Sequence, residues 1–407
     1  MNSSYKDLKF SFGDRRLVGQ QFAREHLERI VHSGRISHAY LFSGPSGIGK
    51  TAFALAFAEI LNGIDNLTDL GEQAFSKKSS WFPHPDVHLF LPLPTSAVSG
   101  NNVSTELRPR LQLLSEDPYE IVNFRVRPSL TDDESSKNLR AFYPIDYFRD
   151  HIRPKAFLKP NEGQKTVIIL TNIEEMRAEA ANAFLKLLEE PSEELVFVLT
   201  TENMEHLLPT IISRCQHIRM SPLKTNEIEQ ALVEYDRVPE EQAGYLARIS
   251  GGNYAMTRFF DADALKSTRK AIIEFLRNSY MQEAVEIIDT AQRWQSENNI
   301  EGQIAILNIL EVFIRDIMVY RDTRERSLLT HYDQLDVIEK FCSQLSEARL
   351  EEMIEQVNLC KPMIYQNVQP KLIYTTLSLR LSNLMRGRDP AISEQDSWKH
   401  LPAFAGN

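Results

Sequence analysis

The chain has 407 residues, 42% of them hydrophobic, which suffices for a sizeable core and suggests two or three domains. Its formal net charge of −10 argues against a protein that grips nucleic acid through a large basic surface of its own. Cys215, Cys342 and Cys360 are far apart and form no C-x-x-C, so they indicate neither a disulfide framework nor a zinc site. The chain shows no signal-peptide layout and no apolar run approaching about 18 residues, so we expect a cytoplasmic protein.

A phosphate-binding motif lies between the first predicted strand and the helix that follows it. Residues 16–33 predict an amphipathic helix, 38–42 a short buried strand, and 51–61 a helix rich in alanine. The loop that joins the last two matches G-x-x-x-x-G-K-[ST] and consists of Gly44, Pro45, Ser46, Gly47, Ile48, Gly49, Lys50 and Thr51.

The spacing of this P-loop suits a chain of phosphates. Its glycines let the backbone wrap closely around the phosphates, with N–H groups pointing inward at the start of a helix. Lys50 would reach the β- and γ-phosphates, and the hydroxyl of Thr51 would coordinate Mg²⁺. The motif therefore predicts binding of ATP or ADP with Mg²⁺. The alternative is a glycine-rich turn that has kept its shape and lost its ligand.

Further strands and helices alternate along the next part of the chain. Strands are expected at 87–91, 165–170 and 195–200, and helices at 144–157 and 178–190. This alternation predicts parallel βαβ units in a doubly wound α/β sheet. Such a sheet binds its ligand at the carboxyl ends of the strands, where the P-loop would lie.

Two stretches interrupt this pattern, and a helical region follows it. Residues 62–82 are polar and irregular, and 92–142 are interpreted as an inserted, partly structured excursion. Strand signals disappear after residue 221. Residues 224–260 predict a small helical unit, and 265–386 are predicted to be almost wholly helical.

One apolar stripe in the helical region is interpreted as core packing. Its residues recur at three- and four-residue steps between 304 and 320 and are Ile306, Ile309, Leu310, Phe313, Ile317 and Tyr320. The tail after Gly387 has no periodicity and is predicted to be disordered.

Several segments together resemble the clamp-loader subunits of bacterial DNA polymerase III, an AAA+ family, and most of all its delta-prime type. The Leu-Glu-Glu-Pro end of the helix at 182–191 and the Ser-Arg-Cys motif at 213–215 are the most specific pieces. The others are the P-loop and the segments 17–20, 34–42, 84–86 and 367–372.

The resemblance implies an architecture and a role. An AAA+ P-loop domain with a parallel sheet would span residues 1–221, with an insertion at about 92–142. A small helical lid would follow at 222–263 and an all-α collar for oligomerisation at 265–387, with a disordered tail at 388–407. Such subunits form a hetero-oligomeric ring that opens a sliding clamp and places it on primed DNA.

Within that family the arginine of Ser-Arg-Cys reaches into the ATP site of the neighbouring subunit. The resemblance therefore implies that Arg214 is an arginine finger acting in trans, where a guanidinium can offset charge on the transferring phosphoryl group. The alternative is that Arg214 merely pairs with a surface carboxylate.

Three departures from the family pattern bear on ATP hydrolysis and on metal binding. Thr171 and Asn172 occupy the two positions after the strand where active members have acidic residues, and neither can hold Mg²⁺ as a carboxylate does. Glu174 and Glu175 come later and are interpreted as a solvated turn. The sensor-2 arginine is missing near Ala255, with Arg258 one turn away. Residues 62–82 lack the four cysteines of the zinc module found in many relatives, so no zinc is expected.

These departures favour a delta-prime-like stator that binds nucleotide but is poorly equipped to hydrolyse it. The alternative is an active AAA+ ATPase subunit of gamma/tau type, or a related replication-repair remodeller, which the intact Lys50 and Thr51 keep open. A P-loop kinase or GTPase unrelated to replication is a third possibility, against which the long helical C-terminal part argues.

Overall fold

The computed structural model describes residues 17–62, 84–99, 103–124, 127, 140–259, 262–298, 300–331, 334–366 and 368–390. The chain divides into two compact units. The first comprises residues 1–247 and 251–258, and the second comprises residues 248–250 and 259–407. The irregular stretch predicted at 62–82 lies outside the described residues except for Asn62, and so does the predicted tail beyond residue 390.

A parallel sheet forms the centre of the first unit. The strands found among the described residues are β1 (Ala39–Ser43), β2 (Val87–Phe90), β3 (Leu93–Pro94), β4 (Ala141–Phe142), β5 (Thr166–Leu170), β6 (Leu195–Thr201) and β7 (Gln216–Arg219). Five of them form a sheet in the order β2-β5-β6-β1-β7, in which every pair is parallel. β3 and β4 form a separate antiparallel pair. The predicted α/β fold with a parallel sheet is confirmed.

The three central strands are buried along their whole length. Every residue of β1, β5 and β6 is buried, as expected for apolar strands with helices on both faces of a parallel sheet. β7 was not predicted as a strand. It lies at the edge of the sheet and pairs only with β1, and Ile218 is its one buried residue.

A series of α-helices lies in the part of the chain that also contains the strands. They are α1 (Gln21–Ser33), α2 (Lys50–Asn62), α3 (Thr95–Ser99), α4 (Val103–Glu116), α5 (Ile145–Tyr147), α6 (Ala178–Glu189), α7 (Pro209–Ile212), α8 (Thr225–Glu234) and α9 (Glu240–Ile249), and α2 packs on β1, β5 and β6. The inserted excursion thus contains a regular helix, α4, in addition to the short α3. The helical unit predicted at 224–260 corresponds to α8, α9 and the 3-10 turn Ala255–Phe259.

The helix predicted over 144–157 is present, but it is not a continuous α-helix. The segment is helical, but α5 continues as a π-helical turn, Phe148–Ile152, and then as a 3-10 turn, Arg153–Phe157. Pro154 has no N–H to donate and restricts the backbone of the residue before it, so the α-helical ladder does not continue through this point.

Asp86 fastens the start of β2 to the turn that precedes β5. Its side chain is 3% exposed, and its oxygens accept hydrogen bonds from the backbone N–H groups of Asn161 at 2.7 Å, Glu162 at 2.8 Å and Gly163 at 2.7 Å. Burial alone would raise the pKa of this carboxyl, but the three backbone donors hold its pKa below the ordinary value. The carboxylate therefore belongs to the framework of the sheet.

Asp86→Asn is expected to lower the free energy of unfolding by roughly 2–3 kcal/mol at pH 7, because it removes the charge from these hydrogen bonds and puts an amide NH₂ against N–H donors. A depressed native pKa adds stability above the unfolded value, and that stability is lost as the pH falls through the native pKa. The difference between the two proteins should therefore shrink below about pH 4 in urea titrations. Asp146→Asn, at a carboxyl that is 69% exposed, should change stability little; equal losses for both variants would contradict the assignment.

The described part of the second unit is helical, as predicted for residues 265–386. Its helices are α10 (Ala262–Met281), α11 (Ala284–Glu297), α12 (Ile300–Thr323), α13 (Leu335–Gln344), α14 (Leu350–Tyr365) and α15 (Pro370–Met385). The six residues of the predicted stripe lie on α12 and are all buried, and α12 packs on α13 and α14. Trp294 joins α10 and α15 through ring contacts with Phe275 at 5.1 Å and Tyr374 at 4.9 Å. The interpretation of the stripe as core packing is confirmed.

Candidate nucleotide site and interface arginine

Of the eight P-loop residues, the six from Gly44 to Gly49 form a loop at the carboxyl end of β1, and Lys50 and Thr51 begin α2. β1 lies between β6 and β7, and the loop packs against the ends of both strands. The N–H of Gly44 donates to the carbonyl of Thr201 at 3.2 Å. A Cβ on Gly44 would lie 2.3 Å from the carbonyl oxygen of Met220, so only glycine fits at this position. The loop therefore lies where a parallel sheet binds its ligand.

Lys50 folds back onto its own loop. Its ammonium donates to the carbonyls of Gly44 at 2.8 Å and Pro45 at 2.5 Å, and it lies 3.7 Å from Oε1 of Glu202. The lysine is only 6% exposed. Thr51 follows it as the second residue of α2 and is half-buried. The predicted lysine and hydroxyl are thus both at the loop, and the lysine already has partners there.

Two side chains from other segments pack directly on the glycines of the loop. Gly47 and Gly49 have positive φ values of 68° and 99°. A Cβ on Gly47 would lie 1.6 Å from Oδ1 of Asn253, and one on Gly49 would lie 2.8 Å from the ring of Tyr119. The backbone N–H of Ala255 also donates to the carbonyl of Gly47 at 3.2 Å. Sequence reasoning missed Tyr119 and Asn253, because no motif marks either residue.

Thr171 is enclosed in the sheet. It is 3% exposed, and its N–H donates to the carbonyl of Phe90 at 3.1 Å. The hydroxyl of Tyr143 bridges the same region by donating to the carbonyls of Phe90 at 2.8 Å and Thr171 at 2.7 Å. Burial raises the pKa of Tyr143 well above its usual range, so this hydroxyl remains a donor.

Asn172 is likewise held by neutral partners. It has a left-handed backbone, with φ 48° and ψ 53°, and its N–H donates to Oγ1 of Thr200 at 3.1 Å. Its side-chain oxygen accepts a hydrogen bond from Asn123 at 3.3 Å. Residues 171 and 172 therefore place no carboxylate at the end of β5 that could hold Mg²⁺ or orient water.

The predicted turn at Glu174 and Glu175 is present as a 3-10 turn, Ile173–Glu175, but the carboxyl of Glu174 is not solvated as was predicted. The left-handed Asn172 turns the chain, so that Oε1 of Glu174 accepts a hydrogen bond from the N–H of Glu202 at 2.9 Å. Its Oε2 is buried and has no hydrogen-bond partner among the described residues. Burial and the nearby Glu202 carboxylate raise the pKa of Glu174. Glu202 thus connects the two residues: its backbone N–H bonds to Glu174, and its carboxylate lies near the ammonium of Lys50.

Arg214 lies just after α7 and joins the two most specific motifs. Its guanidinium donates to Oε1 of Glu189 at 2.7 Å and to the carbonyl of Thr210 at 3.0 Å. The two charged side chains are 34% and 50% exposed, so the pair lies at the surface. Burial raises the pKa of the adjacent Cys215 thiol to about 12, so that thiol stays neutral. The carboxylate partner considered from the sequence is thus present, and it comes from the Leu-Glu-Glu-Pro segment.

The structure describes only part of the regions where a sensor-2 arginine and a zinc module were considered. Ala255 takes the place near which a sensor-2 arginine was sought, whereas the side chain of Arg258 lies outside what the structure describes. The segment in which relatives carry a zinc module is also outside it. Within the described ranges, no cluster of three or more His, Cys, Asp or Glu side chains could hold a metal ion. None of the described helices is both long and apolar enough to span a membrane.

Comparisons with known proteins agree with the resemblance seen in the motifs. A family model described as DNA polymerase III, delta subunit, matches residues 19–224, and one for the C-terminal part of that subunit matches residues 263–383. The chain is 24% identical over 358 residues to the DNA polymerase III subunit delta' of Bacillus subtilis (strain 168), covering 87% of this chain and 94% of that protein.

Matches to other subunits of the same polymerase are shorter or less similar. The chain is 28% identical over 242 residues to the gamma/tau subunit of Mycobacterium bovis, covering 58% of this chain but only 34% of that protein. A gamma subunit-related protein of Thermotoga maritima, known from its crystal structure, aligns with a TM-score of 0.38 and 16% identity over 89% of this chain and 99% of its own. The family models, which match residues 19–224 and 263–383, show that this chain belongs to the DNA polymerase III delta subunit family of clamp-loader proteins.

Proposed function

We propose that this chain is a delta-prime-like stator of a clamp loader in DNA replication. It would join other clamp-loader subunits in a hetero-oligomeric ring, help to place a sliding clamp on primed DNA, and donate Arg214 to a neighbour's ATP site. One observation carries the proposal: a complete P-loop is combined with Thr171 and Asn172 at the positions that need acidic side chains. The chain keeps what binds phosphate and lacks what activates water.

ATP or ADP with Mg²⁺, when bound, supplies the phosphates that this loop would hold. The backbone N–H groups around Gly47 and Gly49 would donate to those phosphates, and Thr51 would offer its hydroxyl to the metal. Lys50 would have to leave the carbonyls of Gly44 and Pro45 to reach them. Since neither residue after β5 can act as a base near neutral pH, the chain would retain nucleotide without turning it over.

Arg214 would act on the nucleotide of another subunit. Its guanidinium lies at the surface beyond α7 and is held by Glu189, a half-exposed partner. An ion pair of this kind contributes about 0–1 kcal/mol, so the guanidinium can leave it for a phosphate at modest cost. A guanidinium supplied in this way would stabilise the charge that develops during phosphoryl transfer.

The proposed division of labour follows the domains inferred from the sequence. Residues 1–221 and the lid at 222–263 would carry the nucleotide site and the finger. The collar at 265–387 would hold the ring together. The assembled complex would bind the sliding clamp and the primed DNA, because the net charge of −10 does not suit tight DNA binding by the chain alone.

A second candidate is an active ATPase subunit of gamma/tau type. The observation that favours it is the position of Glu202, whose carboxylate lies 3.7 Å from Lys50, with Glu174 next to it. An acidic pair beside the P-loop would have to replace the missing residues at 171 and 172.

Lys50→Ala separates the two candidates in the reconstituted complex. For a stator, we expect the clamp- and DNA-stimulated ATPase to change by less than about twofold, because this chain's own site does not turn over. The isolated wild-type chain should hydrolyse ATP negligibly. A Lys50→Ala complex that loses most of its turnover while assembling normally would establish the motor role instead.

A further inference from the structure

Tyr119 lies against the P-loop although it belongs to the inserted excursion. Its side chain is 3% exposed, and its ring lies 2.8 Å from the point that a Cβ on Gly49 would occupy. Its hydroxyl accepts a hydrogen bond from the backbone N–H of Val18 at 2.7 Å. The backbone of Tyr119 is fixed as well, because its N–H donates to the side chain of Asp117 at 2.9 Å.

The segment after α9 encloses the same ring from another side. Tyr254 is fully buried and meets Tyr119 edge to face, with ring centroids 5.0 Å apart. The hydroxyl of Tyr254 donates to Asp236 at 2.6 Å. Two residues next to Tyr254, Asn253 and Ala255, pack on Gly47. Tyr119 is thus surrounded by three segments that are distant in sequence: the one before α1, the P-loop and the one after α9.

A nucleoside whose phosphates are held by the P-loop would need room beside that loop. Phosphates held by Gly47, Gly49 and Lys50 fix where the rest of a nucleotide begins. The sugar and base would then need room beside the loop, where Val18, Tyr119 and Tyr254 pack together. The ring of Tyr119 lies among Gly49, Val18 and Tyr254, and its hydroxyl accepts a hydrogen bond from the N–H of Val18.

We infer that Tyr119 sets the nucleotide affinity of this site by competing with the nucleoside for the space beside Gly49. The inference rests on the proposed binding of ATP or ADP at the P-loop, and it names the residue that opposes that binding. Nucleotide enters only when the ring leaves Val18 and Tyr254. The apparent affinity is therefore the intrinsic affinity reduced by the fraction of molecules in which the ring is displaced.

Removal of the ring is expected to tighten nucleotide binding. In titrations of the full chain with a fluorescent ADP analogue and Mg²⁺, Tyr119→Ala should lower Kd by about tenfold or more. Tyr119→Phe, which loses only the hydrogen bond from Val18, should give a smaller gain. Adding Lys50→Ala to Tyr119→Ala should abolish the gain, because the tighter binding arises at the P-loop.

Phe124→Leu is the matched control. Phe124 is a buried aromatic residue of the same excursion, but its ring packs on the guanidinium of Arg110 at 3.6 Å, so affinity should not change. Hydrogen exchange gives a second measurement that needs no substitution. Saturating ADP should accelerate backbone exchange around residues 117–122 in the wild-type chain, whereas simple binding would slow it.

The possible results separate this inference from the function on which it rests. If Lys50→Ala weakens binding but Tyr119→Ala binds no more tightly than the folded wild type, the P-loop site stands and the inference is overturned. Weaker binding by Tyr119→Ala would also overturn it, because the ring would then be part of the nucleoside site. If neither protein binds nucleotide at all, both the inference and the nucleotide site fail.

Discussion

Arg214→Ala is expected to lower the clamp- and DNA-stimulated ATPase of the reconstituted complex without preventing its assembly. Arginine fingers contribute roughly 10³–10⁵ in rate where they act, so the site that receives this one should become nearly silent. The other sites of the ring keep their own fingers. Total turnover should therefore fall by about the share of one site.

The ion pair with Glu189 provides the decisive control for Arg214. If the role of Arg214 were only to pair with that carboxylate, Glu189→Gln would have the same effect as Arg214→Ala. For a finger, Glu189→Gln should keep most of the turnover, because the guanidinium remains. Arg214→Lys should rescue little, since a lysine keeps the charge but lacks the planar fork that contacts two oxygens. Full activity of Arg214→Ala would end the finger assignment.

A variant with glutamates at Val285 and Leu379 is expected not to co-elute with partner subunits in size-exclusion chromatography. Val285 on α11 is 70% exposed and Leu379 on α15 is 52% exposed, and these two helices pack on each other. Met281 on α10, Ile288 on α11 and Leu372 on α15 are further exposed apolar residues of the second unit. We expect exposed apolar residues on these packed helices to contact partner subunits, where buried charges would be costly.

Leu328→Glu is the control for the collar prediction. Leu328 is also 52% exposed and lies in the second unit, but in a 3-10 turn after α12 and not on α11 or α15. The control should assemble normally, and all variants should retain the helical circular dichroism and melting temperature of the wild type. Normal assembly of the Val285 and Leu379 double variant would show that the stable association depends on another surface.

Strands that are apolar along their whole length could be predicted from the sequence, and an exposed edge strand could not. β5 and β6 are continuous buried runs, and their predicted and observed bounds differ by one residue at most. β7 has a single buried residue among polar neighbours, so it resembles a loop when taken alone. Pairing with β1 makes it a strand, and that contact depends on the whole sheet.

The candidate site shows the same division between local and long-range information. The P-loop could be located from Gly44–Thr51 because its chemistry requires those residue types at fixed spacing. The contact between Tyr119 and Gly49 joins segments about 70 residues apart, and no local sequence pattern predicts it. The placement of Glu174 depends on the left-handed backbone of Asn172. An asparagine can adopt this conformation, but the sequence alone does not predict it.

The excursion between β3 and β4 begins and ends at nearly the same point of the first unit. The two short strands pair with each other, and the hydroxyl of Tyr143, just after β4, donates to the carbonyl of Phe90, the last residue of β2. The entropic free-energy cost of closing a flexible loop rises only with the logarithm of its length. Each doubling of the length adds about 0.6 kcal/mol. A lengthening of the chain between residues 94 and 141 is therefore expected to change the stability little. A reporter peptide inserted there, outside the part that positions Tyr119, should leave the sheet and the interface arginine in place.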